Sequence, residues 1–254
     1  MDMVCSKWQT PQHAVVLASD EVHVWLSSLS VAAASLERFW QTLSADEKER
    51  AKRFVFQKDR DHFIAARGTL RAILGYYLDT QAEQLRFCYS NYGKPALCRE
   101  LSGTKICFNV SHSNELGLFA VTRAREIGVD IEHIRPDFAT TEIADRFFSS
   151  NEIEALRQLP ENEQIEGFFN CWVRKEAYIK ADGKGLSIPL NEFDVSIESD
   201  HPEVRLRSQS NPREASRWRL HHLSPADDYA AAVAVEGKEW KLECWRWMES
   251  SYLF

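Results

Sequence analysis

RFVFQKDRDHFIAARGTLR, residues 53–71, has a faint echo later in the chain, where 146–156 read RFFSSNEIEAL and 168–176 read FFNCWVRKE. After each comes a glycine–lysine turn running into a proline, NYGKPAL at 91–97 and DGKGLSIPL at 182–190. A strand-like segment with a serine follows both times, FNVSHSNELGLFAV at 108–121 and HHLSPADDYAAAVAV at 221–235. The order of elements is matched twice although few residues are shared. Two units predict pseudo-twofold halves, not a solenoid, which needs about three repeats or more.

Local signals fill in the elements. Ser44 with Glu47 three residues on is a capping-box start for a helix. Phe63, Ala66, Leu70, Ile73, Leu74 and Tyr77 keep the spacing of a helix buried along one face. Residues 165–181 predict a second long helix, with Phe168, Trp172 and Ile179 on one side. Segments 105–111 and 116–122 read as strands around a turn HSNE, IGVDI at 127–131 as another, and 217–223 with 229–235 as a later hairpin. The expected fold class is α+β, with halves 1–126 and 127–254, each laying helices on a small antiparallel sheet. The first 40 residues and the tail after about 236 carry no motif that can be placed.

Composition sets the outer bounds. The 254 residues are 44% apolar and 27% charged, an ordinary globular mix. No apolar run approaches the ~20 residues that span a bilayer, and MDMVCSKWQTPQ lacks the pattern of a signal peptide. A net charge of −7 argues against general nucleic-acid binding. Six scattered cysteines without a CxxC pair predict reduced thiols in a cytoplasmic protein, not a disulfide framework or a zinc site.

The strongest chemical signal is GVDIE at 128–132. Side chains two apart on a strand share a face, so Asp130 and Glu132 stand together. At ~6.5 Å they repel by about 2.5 kcal/mol at an effective dielectric near 20, and a hard divalent cation relieves this. A solvated polar strand face is the plain alternative. In WVRKEAYIK at 172–180, Trp172, Glu176 and Lys180 lie on one helical stripe. With Trp172 facing a core, Glu176 falls at a buried edge, where it can ligate a metal or act as a base, and Lys180 can steady phosphate charge. In NVSHS at 109–113, Ser111 and His112 end a strand at a turn and can meet an anion. GxSxG, the P-loop and GxGxxG are all absent. Arg53, Arg60 and Arg67 lie in a basic stretch interleaved with acids, joined by Lys94 in the YGKP turn.

GVDIE followed some forty residues on by WVRKEAYIKADGKGL resembles the paired signature of 4′-phosphopantetheinyl transferases of the Sfp type, with NYGKP, NVSHS and RFFS in the same order. The resemblance implies two pseudo-symmetric halves with coenzyme A as co-substrate in the cleft between them. It implies Mg²⁺, or Mn²⁺ in its place, on Asp130, Glu132 and Glu176. It implies attack by a serine of an apo acyl carrier protein, or of a carrier domain of a polyketide or peptide synthase, with 3′,5′-ADP leaving. Glu176 is then the base and Lys180 the charge neutraliser. Arg53, Arg67, Lys94, Ser111, His112 and Lys175 become coenzyme contacts, and the chain acts as a monomer without nucleic acid or membrane. Residues 134–148 hold few basic residues, so carrier contact falls to Phe138 or the helix after it. A non-catalytic coenzyme A or carrier binder, and a metal-dependent nucleotide hydrolase, are the rival readings. The first should have lost one of the four site residues and the second needs no protein acceptor.

Overall fold

The computed structural model describes residues 7–98, 105–197, 203–208 and 210–248. In chain order the first half holds β1 (Glu21–Ser28), α1 (Ala33–Thr42), α2 (Ala45–Lys52), α3 (Gln57–Leu78), β2 (Phe87–Tyr89), β3 (Pro95–Leu97), β4 (Ile106–Ser113) and β5 (Leu116–Arg123). The second holds β6 (Ile127–His133), α4 (Thr141–Phe147), α5 (Ser150–Gln158), α6 (Glu161–Asp182), β7 (Phe193–Val195), β8 (Glu203–Val204), β9 (Leu206–Ser208), α7 (Pro212–Ala215), β10 (Trp218–Leu223), β11 (Tyr229–Glu236) and β12 (Lys241–Arg246).

Two four-stranded sheets carry the fold, ordered β12-β1-β5-β4 and β6-β11-β10-β8. The trio β1-β5-β4 thus repeats as β6-β11-β10, and each trio lies against a helix of 22 residues, α3 or α6. Strand alternation builds the layers. Val22, Val24 and Leu26 of β1 meet Val129, Ile131, Ala231 and Val233 of the second sheet, while Trp25, on the other face of β1, joins Leu70, Ile73 and Leu74 of α3. On the far side Ala230, Ala232 and Ala234 of β11 seat Ala177 and Ala181 of α6. The molecule is therefore helix, sheet, sheet, helix, with three apolar layers between.

Several expectations need correction. β12 crosses back to pair in parallel with β1, so residues 241–246 join the sheet of the first half and make it mixed where a purely antiparallel one was expected. β4 runs on through His112 to Ser113, leaving only Asn114 and Glu115 as the turn. α6 starts at Glu161, four residues ahead of the predicted 165. The thiols are not all reduced: Cys88 and Cys98 are joined across the β2–β3 hairpin, and Cys244 is also disulfide-bonded. The hairpin register puts Cys88 opposite Ala96 and brings the Cys88 and Cys98 Cα atoms to 5.2 Å, which spacing along the chain did not reveal. Cys107 and Cys171 are free, and Cys5 lies outside the described residues. Among the described residues no helix is long and apolar enough to cross a membrane.

Candidate active site

The two sheets pack face to face, and at one side of the shared core their outer strands β4 and β6 meet without a backbone ladder, side chains closing the seam. Asn109 Oδ1 accepts from the Val129 N–H at 2.9 Å, and Ser113 Oγ accepts from the His133 N–H at 3.0 Å. Between them Ser111 Oγ donates to Asp130 Oδ1 at 2.7 Å, while Ser113 Oγ donates to Glu132 Oε2 at 2.8 Å. Asn109, Ser111 and Ser113 alternate with Phe108 and Val110, so one face of β4 is a polar comb aimed at β6. Asn109 and Ser113 were not singled out from the sequence, although this alternation was there to be read.

α6 supplies the third side. Gly128 opens GVDIE because the helix backbone presses on it: a Cβ there would lie 2.1 Å from the Ala177 carbonyl oxygen. That contact brings Lys180 Nζ to 2.5 Å from Asp130 Oδ1 and 3.1 Å from Ser111 Oγ. Asp130 is buried and its Oδ2 has no hydrogen-bond partner. Burial, and then the Asp130 charge, push the carboxyl of half-buried Glu176 up to about 7 despite the opposing Lys180. The same two causes raise Glu132, against its bond from Ser113. Lys180 is raised too: burial works to lower it, but Asp130, Glu176 and Glu132 outweigh that. Three carboxylates thus share one ammonium.

Among the described residues no three His, Cys, Asp or Glu side chains already stand in metal-holding geometry. The donor chemistry nonetheless fits a hard divalent cation. An orphaned, buried carboxylate oxygen sits beside two carboxylates whose ionisation is opposed by burial and by each other.

The other expected residues scatter. His112 lines a cavity of about 650 Å³ with His62, Lys58 and Arg135, and desolvation followed by the Lys180 and His62 charges holds its imidazole below the usual range. Ser111 bridges Asp130 and Lys180. Arg53 is exposed beside Arg50 and Tyr89 in a second cavity of about 630 Å³, and Arg67 donates to the Tyr89 hydroxyl at 2.8 Å. Lys94 ties the β2–β3 turn to the second half, donating to Glu126 Oε2 at 2.8 Å and to the Ala181 carbonyl at 2.9 Å. Phe138 packs on the rings of Phe168 and Trp172.

Lys175 is the clear departure. It points into the second half, fully buried, and donates to the Leu190 and Phe193 carbonyls at 2.6 Å each and to Glu152 Oε2 at 2.8 Å. No phosphate can reach an ammonium whose three protons are spent inside the core.

A polar seam between like halves, with clustered carboxylates and basic residues along it, has the chemistry to hold and neutralise a phosphate-bearing ligand. Two family descriptions match the chain one after the other: "4'-phosphopantetheinyl transferase, N-terminal" over residues 30–124, and "4'-phosphopantetheinyl transferase superfamily" over 126–234. The 4'-phosphopantetheinyl transferase HetI of Nostoc sp. is 39% identical over 245 residues, covering 96% of this chain and 100% of that protein. The 4'-phosphopantetheinyl transferase Sfp of Bacillus subtilis is 34% identical over 164 residues, covering 65% and 70%. The human L-aminoadipate-semialdehyde dehydrogenase-phosphopantetheinyl transferase is 28% identical over 212 residues, covering 77% and 67%. The chain belongs to the 4′-phosphopantetheinyl transferase superfamily and is an enzyme of that class.

Proposed function

We propose that Asp130, Glu132 and Glu176 hold Mg²⁺, or Mn²⁺ in its place, and that the enzyme there moves the 4′-phosphopantetheine of coenzyme A onto a serine of an apo carrier protein. The buried, unpartnered Oδ2 of Asp130 among mutually repelling carboxylates is the observation that carries this reading. Bound there, the cation neutralises the pyrophosphate of the coenzyme.

The chain's own groups do the rest. Lys180 balances negative charge on the phosphate under attack. Glu176 takes up the serine proton as the general base. The serine oxygen forms its bond to the phosphorus bearing pantetheine, the anhydride bond breaks, and 3′,5′-ADP departs. His112, Arg53, Arg67 and Lys94 line the coenzyme's path, and Phe138 or the helix after it meets the carrier. The duplication supplies both walls of the cleft within one chain, so the enzyme works as a monomer.

Intact mass spectrometry of an apo acyl carrier protein with enzyme, coenzyme A and Mg²⁺ tests this. The expected result is a gain of one phosphopantetheine, abolished by EDTA, with Glu176→Ala slower by about 10²–10⁴-fold. No gain across several carriers, with coenzyme A still bound, leaves a non-catalytic binder. Release of 3′,5′-ADP without an acceptor marks a hydrolase.

A further inference from the structure

We propose that Lys175 is a positioning residue that sets the rotation of α6, so that Glu176 and Lys180 face Asp130; this rests on the transfer reading above. Its three partners come from two directions. Leu190 and Phe193 lie in the segment that leaves α6, and Glu152 lies at the start of α5. Glu152 is itself held at both oxygens: Oε2 accepts from the Ser149 N–H at 2.8 Å and Oε1 from the Val195 N–H at 2.8 Å. One buried point therefore locks α5, α6 and β7 together. Successive residues on a helix are about 100° apart, so a pin at Lys175 fixes the direction of Glu176 and, a turn on, of Lys180.

The first half contains the same pin without the chemistry. Counted from the helix start, Arg71 of α3 holds the place of Lys175 in α6. Arg71 Nε donates to Glu47 Oε2 at 2.8 Å, and its Nη1 donates to the Ala82 and Leu85 carbonyls at 2.8 and 3.1 Å. Glu47 accepts from the Ser44 N–H at 3.0 Å, as Glu152 does from Ser149. The residue after Arg71 is Ala72, so no catalytic acid stands beside this pin. A cation that serves the frame in one half serves the frame in the other, and in the second half the frame carries Glu176.

Three variants test it: Lys175→Met, Lys175→Arg, and Glu152→Gln with Lys175→Met, which removes both charges if the single loss prevents folding. The readouts are kcat, the KM for coenzyme A, and Mn²⁺ affinity by titration calorimetry without acceptor. For Lys175→Met and for the double variant, kcat and Mn²⁺ affinity fall by about 10–100-fold. The KM stays within about twofold, because no phosphate contact is lost. Lys175→Arg, copying the first half, restores both. A raised KM with kcat kept means that Lys175 holds phosphate, and an unchanged kcat per folded molecule means that it only stabilises; either overturns the inference. If wild-type enzyme loads no carrier, the transfer reading fails while the Mn²⁺ titration still decides the positioning one.

Discussion

The two halves are built on one plan, and only the second sets a cluster of carboxylates against its long helix. Each has a capping box whose glutamate turns inward, Ser44–Glu47 and Ser149–Glu152, and each glutamate grips a buried cation on a 22-residue helix. Each helix ends at the same position on a left-handed residue, Asp79 (φ 48°) or Gly183 (φ 82°). The halves part where the helix meets its strand. His23, Trp25 and Ser27 face α3 from β1, whereas Gly128, Asp130 and Glu132 face α6 from β6. In the first half the Tyr77 hydroxyl lies 2.7 Å from His23 Nδ1 and accepts from Trp25 Nε1 at 2.9 Å, giving an aromatic core. In the second a smaller strand residue lets the helix down onto the sheet and charge takes the place of rings. The frame is duplicated, and function is what was written over one copy.

The largest expected effect comes from breaking the silent copy. Glu47 and Arg71 are 2% and 1% exposed, so Glu47→Gln leaves an uncompensated buried guanidinium at about 3–5 kcal/mol. For a chain of this size that lowers Tm by roughly 6–20 °C. Turnover per folded molecule at saturating coenzyme A, measured well below the transition, stays at the wild-type value: α3 carries Arg67, a proposed coenzyme contact that also pairs with Glu47 at 3.7 Å, but no group proposed to touch the reacting phosphate. A tenfold fall in kcat per folded molecule instead would show that the pin in the first half also positions the site, and would remove the distinction between the halves.

A second test uses pH. In metal-free enzyme Glu176 binds its proton at about 7, against 4.5 for an ordinary glutamate, so between these limits the folded state holds more protons than the unfolded one. Stability therefore falls as pH rises from 4.5 to 7 and levels off above, by up to about 3 kcal/mol from this group. Glu132, also raised, adds in the same direction. Urea midpoints in EDTA should be lower at pH 8 than at pH 5, with a shallower difference in Glu176→Gln. Equal slopes for the two proteins would mean that the Glu176 carboxyl is not raised on folding. At the matching place in the first half stands Ala72, which has no proton to bind.

Much of this contrast was legible in the sequence. The repeated order of elements, the Ser44 capping box, the long helices and the alternation in GVDIE are local signals, and local physics reproduces them. β1 escaped notice although Val22, Val24 and Leu26 alternate with His23 and Trp25, and its parallel partner β12 comes from the far end of the chain. Pairings of that range leave no local trace. The Cys88–Cys98 bond exists only in the register of a hairpin. Lys175 misled because it adjoins Glu176 in a helix that is buried nearly all round in its middle, where a lysine could point inward or outward. Its partner Glu152 settles the matter from α5. The twin pair Glu47 and Arg71 would have settled it too, had the repeat been aligned residue by residue.

The smallest change that should tilt one half toward the other is Gly128→Ala. The new methyl would sit 2.1 Å from the Ala177 oxygen and 2.3 Å from the Ala181 nitrogen, backbone atoms that cannot step aside without moving α6. The helix must rise, as α3 already stands off His23. The overpacking lowers stability by about 1–3 kcal/mol. Lifting α6 also draws Lys180 from Asp130 and Glu176 from the seam, and a shift of ~1 Å at such a site slows turnover by up to about a hundredfold. Activity should therefore fall at temperatures where circular dichroism still reports fully folded protein, and Mg²⁺ should recover part of it by pulling the carboxylates back together. A variant that loses stability but keeps full turnover would mean that the close approach serves packing alone, and that charge on β6 would suffice for the site wherever the helix lay.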